Sequence, residues 1–383
     1  MTCRVQFVIT GMGGGGAERM LLKLLTGLDR RLFQPAVISL TADGELTSDL
    51  CRRFVEIEVP VLLLGMKRGV PDPRWVFRLA RLLREKKPRL VSTWMYHADL
   101  IGGIAAYLAG QIPVVWNIRH SNLDPGSNKK TTILTARACA LLSRFLPRRI
   151  ICCAEEAKTV HVRLGYDESR MVVIPNGFDL AAITPVEGAG IALRQELGLS
   201  GDSLLVGLVA RFDPLKDHHN FVRAAERLKN SMKEVHFVLC GNGISWDNES
   251  LAGWIDAAGL RDSFHLLGHR NDIAYLNSAF DIASSSSSGE GFSNTLGEAM
   301  ACGTPCVATD VGSSAFILGE TGKVVPAGAP ETLAGAWQEL LTLPEGQRLA
   351  LGKAARRRVQ ENFSLDRIIG SYQTLFLDVL NRR

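Results

Sequence analysis

The chain lacks several features that would place it at once. No two of its eight cysteines stand in a C-x-x-C spacing, which excludes the commonest zinc and dithiol-redox motifs. No H-E-x-x-H occurs, and no two aspartates stand two residues apart, so neither a zincin helix nor a D-x-D metal site is expected. His265 and His269 are four apart but straddle the end of a predicted strand, which does not suit a metal pair. The longest apolar stretch, Leu100 to Trp116, contains glycine, Gln111 and Pro113. It reads as a helix followed by a strand and not as a membrane span. Arg4–Thr10 is too short for a secretory signal. The cysteines sit mostly among apolar neighbours and behave as small hydrophobes, so a reducing cytoplasm is the expected location. Apart from the serine run 284–288, low-complexity sequence is absent.

What is present fits a folded protein of two domains. The chain has 383 residues and is 46% hydrophobic, more than one core usually holds and too apolar for disorder. The net charge of +5 hides an asymmetry. Residues 1–180 carry 26 Lys and Arg against 16 Asp and Glu, whereas residues 181–383 carry 18 against 23. A basic half suits an anionic membrane surface or nucleic acid; the membrane is the partner expected here, and nucleic acid is not. In a predicted helix over 74–87, Arg74, Arg78, Arg81 and Arg84 form one stripe with Val76, Phe77, Leu79, Leu82 and Leu83 largely opposite. That pattern suits a bilayer surface, and equally a sheet-covering helix with a solvated face.

Apolar, β-branched runs alternate with helical patterns. Val5–Thr10, Pro35–Leu40, Leu90–Thr93, Val114–Ile118 and Ile150–Cys153 read as buried strands, with helices near 17–28, 74–87, 98–109, 131–146 and 155–164. A turn at Asn176-Gly177 and a Gly/Pro-containing linker to Gly201 follow. The pattern then restarts with Leu204–Ala210, Val235–Cys240, Ser263–Leu267, Asp281–Ser284 and Pro305–Thr309, and with helices near 217–230, 247–259, 271–278, 294–302 and 331–342. The tail, 346–382, reads as helical. Such alternation predicts an α/β fold of two Rossmann-like domains, each a parallel sheet covered on both faces, around a cleft.

Three segments carry chemistry. Gly11-Met12-Gly13-Gly14-Gly15-Gly16 follows the first strand and opens a helix. It matches G-x-G-x-x-G loosely, with Asp43 as the acidic residue an NAD-dependent oxidoreductase would want. More firmly, it is a loop that lets backbone approach a ligand. Arg211 and Lys216 follow the strand Leu204–Ala210, where such sheets bind ligands, and both suit a diphosphate. Asp217 beside them suits a helix N-cap. Finally, Glu290 and Glu298 flank Gly291-Phe292-Ser293-Asn294-Thr295, a turn running into a helix. A helix N-terminus binds phosphate well. With a carboxylate on each side, the segment suits a ligand bearing hydroxyls at both ends of a diphosphate, as a nucleotide-sugar does.

Together these residues resemble retaining glycosyltransferase family 4, of GT-B fold. Arg211 and Lys216 five apart, then Glu290-x7-Glu298, carry the likeness. Ile174-Pro175-Asn176-Gly177-Phe178-Asp179, Cys240-Gly241-Asn242-Gly243 and Ala301–Ala308 extend it over nearly the whole chain. The resemblance implies an N-terminal acceptor-binding domain over 1–178, a donor-binding domain over 179–363, and a C-terminal helix, 364–383, crossing back to the first domain. It implies Arg211 and Lys216 on the diphosphate, beside Gly241 and the backbone of Gly291, Phe292, Ser293, Asn294, Thr295 and Leu296. Glu298 would hold the ribose, with Glu290 near the hexose. Gly14, Gly15 and Gly16 would face the diphosphate or acceptor. His120 would touch the donor sugar, although Arg119-His120-Ser121-Asn122 is not the family's commoner pattern. No metal or other cofactor is implied. The expected reaction is transfer of a hexosyl or N-acetylhexosaminyl group from a UDP-sugar to a glycan or polyprenyl-diphosphate-linked acceptor, in cell-surface polysaccharide synthesis at the inner face of the plasma membrane. A sugar-nucleotide epimerase, an NAD-dependent oxidoreductase and a catalytically idle sensor are the alternatives.

Overall fold

The computed structural model describes residues 2–13, 15–42, 49–67, 72–123 and 128–381; Gly14 and Asp43 lie outside these. The chain forms two compact units, one of Met1–Gly177 with Leu365–Arg383 and one of Phe178–Ser364.

The first unit is built on a parallel sheet of seven strands: β1 (Cys3–Ile9), β2 (Phe33–Thr41), β3 (Val61–Met66), β4 (Leu90–Trp94), β5 (Val114–Ile118), β6 (Arg149–Cys152) and β7 (Met171–Val173). Their order is β3-β2-β1-β4-β5-β6-β7. Every residue of β4 and β5 is buried, the signature of strands covered by helices on both faces. The C-terminal helix Leu365–Asn381 packs onto this unit. Its Ile368, Ile369, Tyr372, Phe376 and Val379 join the core formed by β1, β2 and the helix Gly16–Gly27.

The second unit holds a parallel sheet of six: β8 (Leu204–Val209), β9 (Val235–Cys240), β10 (Phe264–Leu266), β11 (Ile282–Ser285), β12 (Cys306–Thr309) and β13 (Gly322–Val325). Their order is β10-β9-β8-β11-β12-β13. Both sheets therefore reverse direction beside their first strand, which makes the β1/β4 and β8/β11 junctions the places where successive loops part. Phe221, Phe237 and Trp337 fill the core between sheet and helices.

Three expectations are corrected here. The stretch read as linker contains a helix, Ala189–Glu196, whose short sequence lacks an apolar stripe long enough to register. The helical tail is two helices, Glu345–Phe363 and Leu365–Asn381, parted at the extended Ser364. Strands β3, β7 and β13 extend the sheets beyond the strands expected, β7 and β13 being only three and four residues long.

Candidate active site

At the C-terminal end of β8 the chain is held against the loop after β9. Ala210 N–H donates to Cys240 O at 2.9 Å and Phe212 N–H to Asn242 O at 2.7 Å. Gly241 makes that approach possible. Its φ is +151°, and a Cβ there would lie 2.1 Å from Ala210 O. Asp213 then caps a single 3-10 turn, Pro214–Lys216, accepting from Leu215 N–H at 3.0 Å. Asp217, at φ 46°, accepts from Asn220 N–H at 3.1 Å and starts the helix His218–Lys229. The turn fixes where Lys216 emerges.

From β11 comes the second loop. Ser286 Oγ donates to Lys216 O at 2.9 Å, and Ser288 N–H to Leu215 O at 2.9 Å. These bonds stitch the serine run to the lysine turn. Across the seam, Lys216 Nζ lies 2.5 Å from Glu290 Oε1, with the two side chains only 20% and 9% exposed. Ser287 Oγ donates to the same oxygen at 2.8 Å. A charge pair this sheltered is costly to break from one side, because the remaining charge stays partly buried. Gly312, at φ +55°, closes the back of the loop; a Cβ there would sit 2.4 Å from Glu290 O.

Glu290 leads into the helix Asn294–Ala301. Ser293 is its N-cap at φ −76° and ψ 92°, yet its hydroxyl does not cap the helix. That hydroxyl is buried without a hydrogen-bond partner. The first N–H groups of a helix have no helical acceptor, and the dipole adds positive potential there. Phe292 ties the turn to Phe178, with ring centroids 6.2 Å apart. Thr295 and Glu298 follow on this helix, both half-buried.

Arg211 is the most open member, with its side chain 62% exposed. Its guanidinium forks onto Asp213 Oδ2, at 3.0 Å from Nε and 2.8 Å from Nη2. Burial alone would raise the Asp213 carboxyl, but the Leu215 N–H and Arg211 outweigh it and hold it below the usual carboxylate range. Next to Lys216, the His218 ring is buried, which pushes its pKa down to about 4, with the lysine's charge adding to the effect.

The structure thus brings Arg211, Lys216, Gly241, Glu290, Gly291, Phe292, Ser293, Asn294, Thr295 and Glu298 onto the loops after β8, β9 and β11, at one edge of one sheet. Ser287 and Gly312 are the residues that sequence reasoning missed. The serine run read as low complexity, yet each of its hydroxyls has a task, including Ser284, which accepts from Trp337 Nε1 at 3.0 Å.

Gly15, Gly16 and His120 belong to the other unit. Gly15 is the N-cap of the helix Gly16–Gly27 at φ −73°, so its use is space and not a left-handed turn. A Cβ on it would meet the Glu18 carboxylate at 2.8 Å. His120 follows β5, and its Nε2 lies 2.9 Å from Asn128 Oδ1. Arg119 beside it lies over the Trp94 ring at 4.1 Å and donates to Asn176 Oδ1 at 2.9 Å and to the Tyr372 hydroxyl. That hydroxyl donates in turn to Asn117 Oδ1 at 3.0 Å. Asp99 below them is fully buried, which drives its carboxyl well above the usual range; it accepts from Thr93 Oγ1 at 2.5 Å.

Among the described residues, no group of three His, Cys, Asp or Glu stands close enough to hold a metal ion. The His265 ring meets His236, Nε2 to Nδ1, at 3.2 Å. All eight cysteines are buried, and none forms a disulfide among the described residues. No helix among the described residues is long and apolar enough to cross a membrane.

Comparison with known proteins agrees with this architecture. Residues 14–182 match the family described as Glycosyltransferase Family 4, and residues 203–343 match Glycosyl transferases group 1. Over 371 residues, 95% of this chain and 94% of the other, it is 25% identical to the UDP-Gal:alpha-D-GlcNAc-diphosphoundecaprenol alpha-1,3-galactosyltransferase of Escherichia coli. The solved structure of Anabaena Alr3699/HepE in complex with UDP superposes with a TM-score of 0.84 at 23% identity, covering 98% of this chain and 100% of that one. A glycosyltransferase from Rickettsia africae ESF-5 superposes with a TM-score of 0.85 at 16% identity over the full length of both. With two parallel-sheet Rossmann-like units and these matches in both halves, the chain belongs to glycosyltransferase family 4, of GT-B fold.

Proposed function

We propose that this glycosyltransferase moves a hexosyl or N-acetylhexosaminyl group from a UDP-sugar, with retention of configuration, to a hydroxyl of a lipid-linked glycan acceptor at the cytoplasmic face of a membrane. Residues 179–363 bind the donor and residues 1–178 the acceptor. The observation that carries the reading is the sheltered Lys216–Glu290 pair, set beside a helix N-terminus at the β8/β11 junction. UDP as the nucleotide is supported by the UDP complex of the Anabaena relative and by the donor in the E. coli enzyme's name, and that name also supports a polyprenyl-diphosphate-linked acceptor.

In this reading the bond from the sugar's anomeric carbon to the diphosphate breaks as the acceptor oxygen approaches from the same face. The acceptor proton passes to the departing phosphate oxygen. Negative charge grows on the diphosphate, and in this reading Lys216, Arg211 and the first N–H groups of the helix Asn294–Ala301 answer it. In this reading Glu298 holds the ribose and Glu290 the hexose, with His120 assigned to the donor sugar and Gly14, Gly15 and Gly16 to the diphosphate or acceptor. Glu290 positions the sugar and does not form a covalent intermediate. Its Oε1 already accepts from both Lys216 and Ser287, which lowers its nucleophilicity.

Thermal-shift measurements against UDP-, GDP- and ADP-sugars, followed by NMR of the product's anomeric configuration, test the reading. UDP-sugars are expected to stabilise the protein and the product to retain configuration. Stabilisation by NADH alone, donor consumption without acceptor, or an inverted product would each overturn it.

A further inference from the structure

The helix Lys130–Leu142 in the first unit is unusual in what it exposes. Its inner face is buried through Ala136, Cys139 and Ala140. Outward, Lys130, Leu134, Arg137 and Leu141 recur at spacings of four, three and four, which is one face of a helix. Phe145 continues the stripe on the next turn, where its N–H donates to Leu142 O at 3.0 Å. Leu134 is 68% exposed, and Leu141 and Phe145 are each 76% exposed. They are the exposed large apolar side chains of residues 128–154, a stretch with no Asp or Glu. Among the described residues, Lys130, Arg137 and Arg144 form no ion pair.

The arginine stripe of the helix Arg74–Lys86 contrasts with this. There Arg74 pairs with Asp72 at 2.9 Å, Arg81 pairs with Glu85 at 2.9 Å, and Arg84 donates to Leu108 O at 2.7 Å. Arg78 lies 5.1 Å from the centre of the Trp75 ring. Its charges are largely answered within the chain.

We infer that Lys130–Phe145, and not the arginine stripe, is the element by which the protein docks on an anionic lipid bilayer. The inference rests on the lipid-linked acceptor proposed above, and it commits to a surface on this unit. An acidic protein partner would answer the cations but would leave three large apolar groups without reason to alternate with them. A bilayer answers both: leucine and phenylalanine enter the headgroup boundary, while the lysine and arginines reach lipid phosphates on long stems. The stripe is about 22 Å long at the helical rise, enough for several headgroups.

Flotation with vesicles of phosphatidylcholine, alone or mixed with phosphatidylglycerol, tests this at low salt. The unmodified protein is expected to bind the anionic vesicles and not the neutral ones. Leu141→Asp with Phe145→Asp, and separately Arg137→Glu with Arg144→Glu, should each weaken binding roughly tenfold or more, whereas Arg78→Glu should retain most of it. All these side chains are exposed, so melting temperature and the UDP-induced thermal shift should match the unmodified protein. A missing UDP shift in every form would count against the proposed function and not against the surface. Vesicle binding that the Leu141 and Phe145 variant keeps, equal binding to neutral vesicles, no binding to either, or self-association that the same variants abolish would overturn the docking surface.

Discussion

Lys216 Nζ and Glu290 Oε1 stand 2.5 Å apart across two loops that leave adjacent strands in different directions. The pair gives the positive charge of Lys216 a fixed position. A preorganised donor needs no reorganisation at the moment of reaction, which is where electrostatic catalysis gets its size.

Lys216→Ala should therefore lower the rate of UDP release with saturating donor and acceptor by about 10²–10³. Glu290→Gln keeps the shape and a hydrogen bond to Ser287 but loses the charge partner. It should impair turnover severely and also lower the melting temperature, because Lys216 is left partly buried without its charge partner. Near-normal turnover in either variant would contradict the roles given to both residues.

Gly312 tests the loop from behind. A Cβ at this position would sit 2.4 Å from Glu290 O, on a backbone at φ +55° that disfavours other residues. Gly312→Ala should push the glutamate loop outward and cut activity at least tenfold, with a stability loss of about 1–2 kcal/mol. Circular dichroism melts and initial rates of the same preparation separate the two effects. A variant as active as the parent would show that the loop tolerates displacement.

Much of this arrangement was legible before the coordinates. Strands β4 and β5 are buried on both faces because helices cover both, so their sequences are mostly apolar, with Ser92, Thr93 and Asn117 as buried polar members. Edge strand β13 is only four residues long and partly buried, too short for a pattern to register, whereas β3, Val61–Met66, carries no polar residue and its run was there to read. That Arg211, Lys216 and Glu290 gather on neighbouring loops was legible because cations just after a strand and a glutamate just before a helix start both leave sequence marks. Ser287 was not, since a hydroxyl within a serine run carries no mark of which carboxylate it will meet. Gly312 escaped for another reason: its importance lies in a contact with a loop distant along the chain. The arginines of 74–86 were legible as a stripe; the structure adds that Asp72 and Glu85, close along the chain, pair with Arg74 and Arg81.

Tyr372 anchors the C-terminal helix to the first unit through its hydroxyl, which accepts from Arg119 and donates to Asn117 Oδ1. Its ring stacks on Trp94 at 6.2 Å between centroids. Burial pushes its pKa up to about 12, so the hydroxyl keeps its proton as a donor. Tyr372→Phe preserves the stack but removes a partner from the half-buried Arg119 and leaves the buried Asn117 Oδ1 with only a long contact to Arg119, at 3.5 Å. It should cost about 1–3 kcal/mol, which in a unit of this size lowers the melting temperature by roughly 2–4 °C per kcal/mol. An unchanged melt would mean that water or another group takes over both bonds.

Stability should also fall on the acid side. His161 and His218 are both buried, one in each unit, and burial lowers each pKa from 6.5 to about 4. In the unfolded chain these rings bind protons near pH 6.5, while in the folded chain they resist until about pH 4. Between those limits the unfolded state holds more protons, so stability falls as pH falls, by up to about 3 kcal/mol per ring. Above pH 6.5 the contribution is fully present, and below about 4 no more is lost. His218→Gln removes the titrating group from its unit. Its melting temperature is expected to start lower at neutral pH and to decline less steeply than the parent's between pH 6.5 and 4. His161→Gln should do the same while its side-chain oxygen takes over the bond from Tyr96, whose hydroxyl lies 2.7 Å from His161 Nε2. Identical slopes in parent and variants would show that neither ring carries the acid sensitivity.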